Sequence, residues 1–125
     1  MKKWLFLAGL SGALAVIAGA FGAHGLQARL EPRLLASFTT AAHYHLIHAA
    51  AMAIAAMAAR GAAAPRATAA AMLFLAGTIL FSGSLYALAL SGIRAFAFVT
   101  PVGGVGFIAG WIMLALAALK LEEPT

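Results

Sequence analysis

No cysteine occurs among the 125 residues, so the chain forms no disulfide and offers no thiolate to a metal. Acid is almost as scarce. Glu31, Glu122 and Glu123 are the only carboxylates, and there is no aspartate. That leaves no carboxylate pair for general acid–base work and no acidic cage for a hard cation inside any apolar stretch. Charged residues of both signs make up 9% of the chain, whereas a soluble domain carries about 25%. So few charges cannot cover a water-facing surface, which excludes a soluble helical bundle. With 65% hydrophobic residues, the solvent for most of the surface is lipid. The net charge of +5 is not a nucleic-acid patch, because Lys2, Lys3, Arg29, Arg33, Arg60, Arg66, Arg94 and Lys120 lie between or beside the apolar stretches. Membrane proteins place basic residues there, near headgroups.

Four stretches reach the length of about 20 apolar residues that a membrane-spanning helix needs. They cover approximately residues 4–23, 40–59, 68–91 and 96–119, and none contains Asp, Glu, Lys or Arg. The whole chain, 1–125, reads as one transmembrane domain. The first stretch has the basic start of a signal peptide and a passable cleavage site at Ala18–Ala20, but its apolar run exceeds the usual signal core. It reads as a retained span. Between spans one and two, Leu26, Leu30, Leu34 and Phe38 recur every four residues beside Arg29 and Arg33. This predicts a short amphipathic segment at headgroup level, with Pro32 opening the second helix. The connections at 60–66 and 91–96 are tight. Lys2, Lys3, Arg60, Arg66 and Lys120 on one side outnumber Arg29, Arg33 and Arg94 on the other, which favours cytoplasmic termini.

Helices in lipid lack a hydrophobic drive to associate and rely on close contact between small residues. Ser11, Ala15, Gly19 and Ala23 form a four-residue stripe in span one. Gly83, Ala87 and Ser91 do so in span three, and Gly106 and Gly110 make a GxxxG pair in span four. These stripes are expected mainly to pack the four helices of one subunit together; a homo-oligomer or a larger membrane complex is the other use for them.

Three of the four histidines fall within six residues, at 43, 45 and 48. With the termini inside, His48 lies roughly 12 Å below the outer end of span two. Ser84 lies at a similar depth in span three, bracketed by Ser82 and Tyr86; His24 closes span one and Thr100 opens span four on the same side. His24, Tyr44, His48, Ser82, Ser84, Tyr86 and Thr100 therefore form a candidate polar cluster in the outer half of the bundle. Three chemistries fit it. His45 and His48, with Met52 or His24, have spacing suited to copper or zinc. His48 and His24 are placed to ligate a haem between helices. His48 with the tyrosines and serines suits a proton or small-ligand pocket. Against these stands interhelical hydrogen bonding, with Ser84 or Tyr86 as the partner of His48, while His43 and His45 are expected to be ordinary interfacial residues. The glycine-rich run at 100–106 reads as a helix start at Pro101 followed by packing glycines.

The motifs GAFGAHGL (19–26), the tyrosine and histidine of YHLIHA (44–49), FSGSLY (81–86) and TPVGG (100–104) occur in that order. Together they resemble the small bacterial membrane protein family called domain of unknown function 423. The resemblance covers nearly the whole chain. It implies a four-span membrane protein of this length and matches His24, Tyr44, His48, Ser82, Ser84, Tyr86, Thr100 and Pro101. It leaves His43 and His45 outside the pattern and carries no activity with it. The expectation is an all-α integral membrane four-helix bundle in the bacterial inner membrane. It is non-enzymatic, has no resident cofactor and acts as an accessory or interaction module. The alternative is a transporter-like or cofactor-binding protein working through His48 and His24.

Overall fold

The computed structural model describes residues 2–122, so Glu123 lies outside the described residues. Its elements are helical throughout. Helix α1 runs Lys2–His24 and α2 runs Pro32–Ala58. A one-turn 3₁₀ helix, Gly61–Ala63, leads into α3, Ala64–Gly77. One π-helical turn, Thr78–Ser82, joins α3 to α4, Gly83–Ser91. A 3₁₀ segment, Arg94–Phe98, enters α5, Thr100–Ala118. Four helical segments are long and apolar enough to cross a membrane: Lys2–His24, Pro32–Ala58, Gly61–Ser91 and Arg94–Ala118. The all-helical, four-span reading holds.

The inner pair is α2 and the third span. Helix α1 lies mainly against α2, and α5 mainly against the third span. Buried positions on α2 include Ala41, His45, His48, Met52 and Ala55, a 4–3–4–3 spacing that keeps one seam turned inward. Three apolar clusters result. Ala8, Met52, Ala55, Ala71 and Phe74 form the largest. Leu26, Phe38 and Ala89 close the end of the bundle where α2 begins. Ala63, Ala67 and Ala117 close the other. Alanine dominates because short side chains let backbones approach where water supplies no driving force.

Two expectations change, for the segment between spans one and two and for the span-one stripe. Helix α3 starts at Ala64, ahead of the apolar run, because Pro65 stands in its first turn, where a missing N–H costs nothing. Arg66 then donates from Nη1 to the carbonyl of Leu116 at 2.9 Å, a cation on the last turn of α5. The amphipathic segment is not a continuous helix. Residues 25–31 make turns, so Leu26 and Phe38 meet in one cluster by chain reversal. The span-one stripe also drifts. Ser11 and Ala15 are buried, but Gly19 and Ala23 are exposed and the inward positions continue at Gly22. A step of four residues at 3.6 per turn rotates about 40° each time, so three steps leave the face.

Three glycines of the last two spans, Gly77, Gly103 and Gly110, stand where a side chain does not fit without displacement. A β-carbon on Gly103 would stand 2.2 Å from the backbone nitrogen of Phe81, so α5 rests directly on the π turn. At Gly77 it would meet the Phe107 ring at 2.5 Å, and at Gly110 the Phe74 ring at 2.7 Å. The GxxxG pair thus seats aromatic rings and backbone of the same chain. Gly92, at φ 72°, ends α4 in the left-handed region and donates its N–H to Leu88 at 2.7 Å.

Gly103→Ala is expected to destabilise the detergent-solubilised protein by about 1–3 kcal/mol or more, the cost of overpacking against unyielding backbone, read as a lower melting temperature. Gly9→Ala, with nothing within 4 Å of the new methyl, is expected to leave it unchanged.

Candidate functional site

His45 is the middle residue of α2, thirteen from either end. It is 8% exposed, which corrects its assignment to the interface. Its Nδ1 lies 2.9 Å from the Tyr86 hydroxyl on α4, and its Nε2 lies 3.0 Å from the Ser11 hydroxyl on α1. One ring therefore ties three helices together. A neutral imidazole donates from one nitrogen and accepts at the other, and each hydroxyl can play either part.

His48 is 4% exposed, and its partners differ from those expected. Its Nε2 lies 3.1 Å from Trp111 Nε1 on α5, not near Ser84 or Tyr86. Its Nδ1 lies 2.7 Å from the Tyr44 carbonyl oxygen. An indole N–H only donates and a carbonyl only accepts. Trp111 therefore donates to Nε2, and Nδ1–H donates to Tyr44. The two partners assign a single neutral tautomer. The ring also stacks on Phe107, with centroids 3.5 Å apart and planes 9° from parallel. Tyr44 stands nearly parallel to both.

The hydroxyls complete the layer. Ser82 donates to the Ala41 carbonyl on α2 at 2.8 Å. Ser84 and Thr100 share a 2.6 Å hydrogen bond that joins α4 to the start of α5, and Ser84 also reaches the Phe81 carbonyl at 2.9 Å. Thr78 back-bonds to the Phe74 carbonyl at 2.8 Å. These side chains supply partners where the π turn disturbs the regular helical ladder. Among the described residues, no buried side-chain polar atom lacks a partner.

Of the predicted cluster, Tyr86 and the Ser84–Thr100 pair join the interhelical network directly, as do His48 and Ser82 through new partners. Tyr44 contributes its carbonyl while its ring faces outward and stacks. His24 stands apart at the exposed end of α1, away from His48. Met52 is fully buried among Ala51, Ala55 and Phe74 and fills apolar space. Among the described residues no three His, Cys, Asp or Glu side chains converge into a metal-binding group. Ser11, Trp111 and Phe107 are the participants that sequence reasoning missed. Trp111 carried a signal: an indole far from either end of an apolar span needs an acceptor inside the protein.

Outside this layer lies a half-open groove of about 660 Å³ between α2, the π turn and α5. Tyr44, His48, Phe81, Phe107 and Trp111 wall it, and His43 stands at its edge. His43 is exposed, two residues from the midpoint of α2.

Four apolar spans with an internally satisfied polar layer define a small polytopic membrane protein. The chain belongs to the family described as Protein of unknown function (DUF423), whose model matches residues 18–104. It is 40% identical over 121 residues to the UPF0382 membrane protein YwdK of Bacillus subtilis, covering 96% of this chain and 98% of that one. It is also 40% identical over 119 residues to the UPF0382 inner membrane protein YgdD of Escherichia coli, covering 95% and 91%. A UPF0382 membrane protein of Staphylococcus aureus is 42% identical over 120 residues, covering 96% and 98%. No solved structure matches the chain.

Ser11→Ala and Tyr86→Phe are each expected to cost about 0.6 kcal/mol, the average for hydrogen bonds between membrane helices. His45→Leu is expected to cost more, because it removes both bonds at once. Denaturant titration in mixed micelles, with a Ser11→Ala/Tyr86→Phe double variant, measures all three.

Proposed function

We propose that this protein is a non-enzymatic module of the bacterial inner membrane. Its His, Tyr and Ser residues hold four spans in register, and its aromatic groove meets a partner or a small ligand within the bilayer. The observation that carries this reading is the use of both His48 nitrogens. The lone pair of Nε2 is spent on Trp111 and the proton of Nδ1 on Tyr44. Ligating a metal or haem, or accepting a proton, requires His48 to give up the Trp111 bond. His45 is similarly engaged on both sides, and His24 lies exposed at the last residue of α1. The names of the relatives as membrane and inner membrane proteins agree with the location.

The termini are cytoplasmic in this reading, on the basic-residue count. The polar layer then runs from the outer half of the bundle to just past its middle, where His48 meets Trp111.

His48→Gln is expected to lower thermal stability while leaving proton and solute movement into proteoliposomes unchanged. Purified protein is expected to be colourless and free of stoichiometric metal by elemental analysis. A flux lost in His48→Gln with stability retained would overturn the proposal in favour of transport. Because the chain has no cysteine, single cysteines report topology cleanly. An impermeant maleimide on spheroplasts is expected to label Gln27→Cys and to spare Ala62→Cys.

A further inference from the structure

A second cavity, of about 380 Å³, opens at the end of the bundle where α2 begins and α4 ends. Arg33, Leu34 and Ser37 of α2 form one wall, Leu88 of α4 another, and Arg94 and Phe98 of the 3₁₀ segment the third. It shares no lining residue with the aromatic groove. Its chemistry is divided. Two arginines line it from different elements, Arg33 from α2 and Arg94 from the 3₁₀ segment. Arg33 is held only by an exposed ion pair, Nε to Glu31 at 3.5 Å, the kind that contributes little, so its terminal nitrogens remain available. Arg94 is exposed and makes neither an ion pair nor a side-chain hydrogen bond among the described residues. The Ser37 hydroxyl donates to the Arg33 carbonyl. The remaining walls are apolar, and Phe98 is 83% exposed, more than any other large hydrophobic residue described.

We infer that this cavity is a binding site for one anionic phospholipid, with Arg33 and Arg94 on the phosphate and Leu34, Leu88 and Phe98 against the first part of an acyl chain. Charge complementarity selects the headgroup, since guanidinium forks match phosphate oxygens in bidentate geometry. The apolar walls select a lipid over a free anion, which would leave them uncovered. The position at helix ends is headgroup level, where basic residues of membrane proteins meet lipid phosphates. The volume equals roughly a dozen waters at about 30 Å³ each, room for a phosphate, its glycerol and a few methylenes.

The test is native mass spectrometry of the full chain in detergent, titrated with phosphatidylglycerol or with phosphatidylcholine. The first phosphatidylglycerol is expected to bind more tightly than the first phosphatidylcholine. Arg94→Gln and Arg33→Gln are each expected to weaken it about fivefold, the factor for one basic residue at an anionic surface. Ala97→Trp, at an exposed lining position, is expected to abolish the preference by filling the cavity while both charges remain. Arg29→Gln, outside the cavity, is expected to change nothing. The inference fails if Ala97→Trp binds as the unaltered protein does, or if Arg29→Gln matches Arg94→Gln, since diffuse charge would then explain the preference. It fails equally if 10 mM inorganic phosphate displaces the lipid, which would make this a free-anion site. Melting temperatures accompany each variant. Should Arg94→Gln not fold, Arg33→Gln and Ala97→Trp decide the matter alone.

Discussion

Hydrocarbon contains no water to complete a hydrogen bond, so each polar group placed there must find its partner in the protein. That constraint governs the middle of this bundle. Two imidazoles and several hydroxyls are buried at or near one level, beside a half-buried phenol and a more exposed indole, and each is partnered. His45 joins α1, α2 and α4. His48 joins α2 to α5. Ser82 and Ser84 join the third span to α2 and α5. Each bond is worth little by itself, but none is replaceable by solvent. The helices are therefore committed to one register, because sliding any of them strands several polar groups at once.

Packing solves the complementary problem. The third and fourth spans approach until Gly103 touches backbone and Phe107 and Phe74 lie in the notches at Gly77 and Gly110. The same approach brings Phe107 onto the His48 ring and Trp111 within reach of Nε2. Close glycine contact and the polar layer are thus mutually dependent. The π turn at Thr78–Ser82 sits where both meet, and its hydroxyls occupy carbonyls of their own and neighbouring helices.

Much of this was legible beforehand. Span count and the Pro32 helix start follow from segment length and proline geometry. Partner choice was not legible. His45 and His48 both recur at helical spacing, and either could face inward or outward until the seam through Ala41 and Met52 is known. Tyr44, one turn before His48, shares its helical face, yet its ring lies outside. The stripe Leu26–Leu30–Leu34–Phe38 has helical period, but the chain turns at 25–31 and brings its two ends together by another route. Periodicity reports what a helix would do if one formed there; it does not say that one forms.

Composition and run length alone were sufficient for the solvent and the number of crossings. A chain with 9% charge and four long uncharged stretches has no other stable arrangement in a cell. The pairing of Tyr86 with His45, of Trp111 with His48 and of Thr100 with Ser84 was decided only by tertiary structure. Those pairs are 41, 63 and 16 residues apart, and which donor meets which acceptor depends on helix rotation and axial offset. Both are set by the sum of many small contacts between faces, a quantity that no single segment contains.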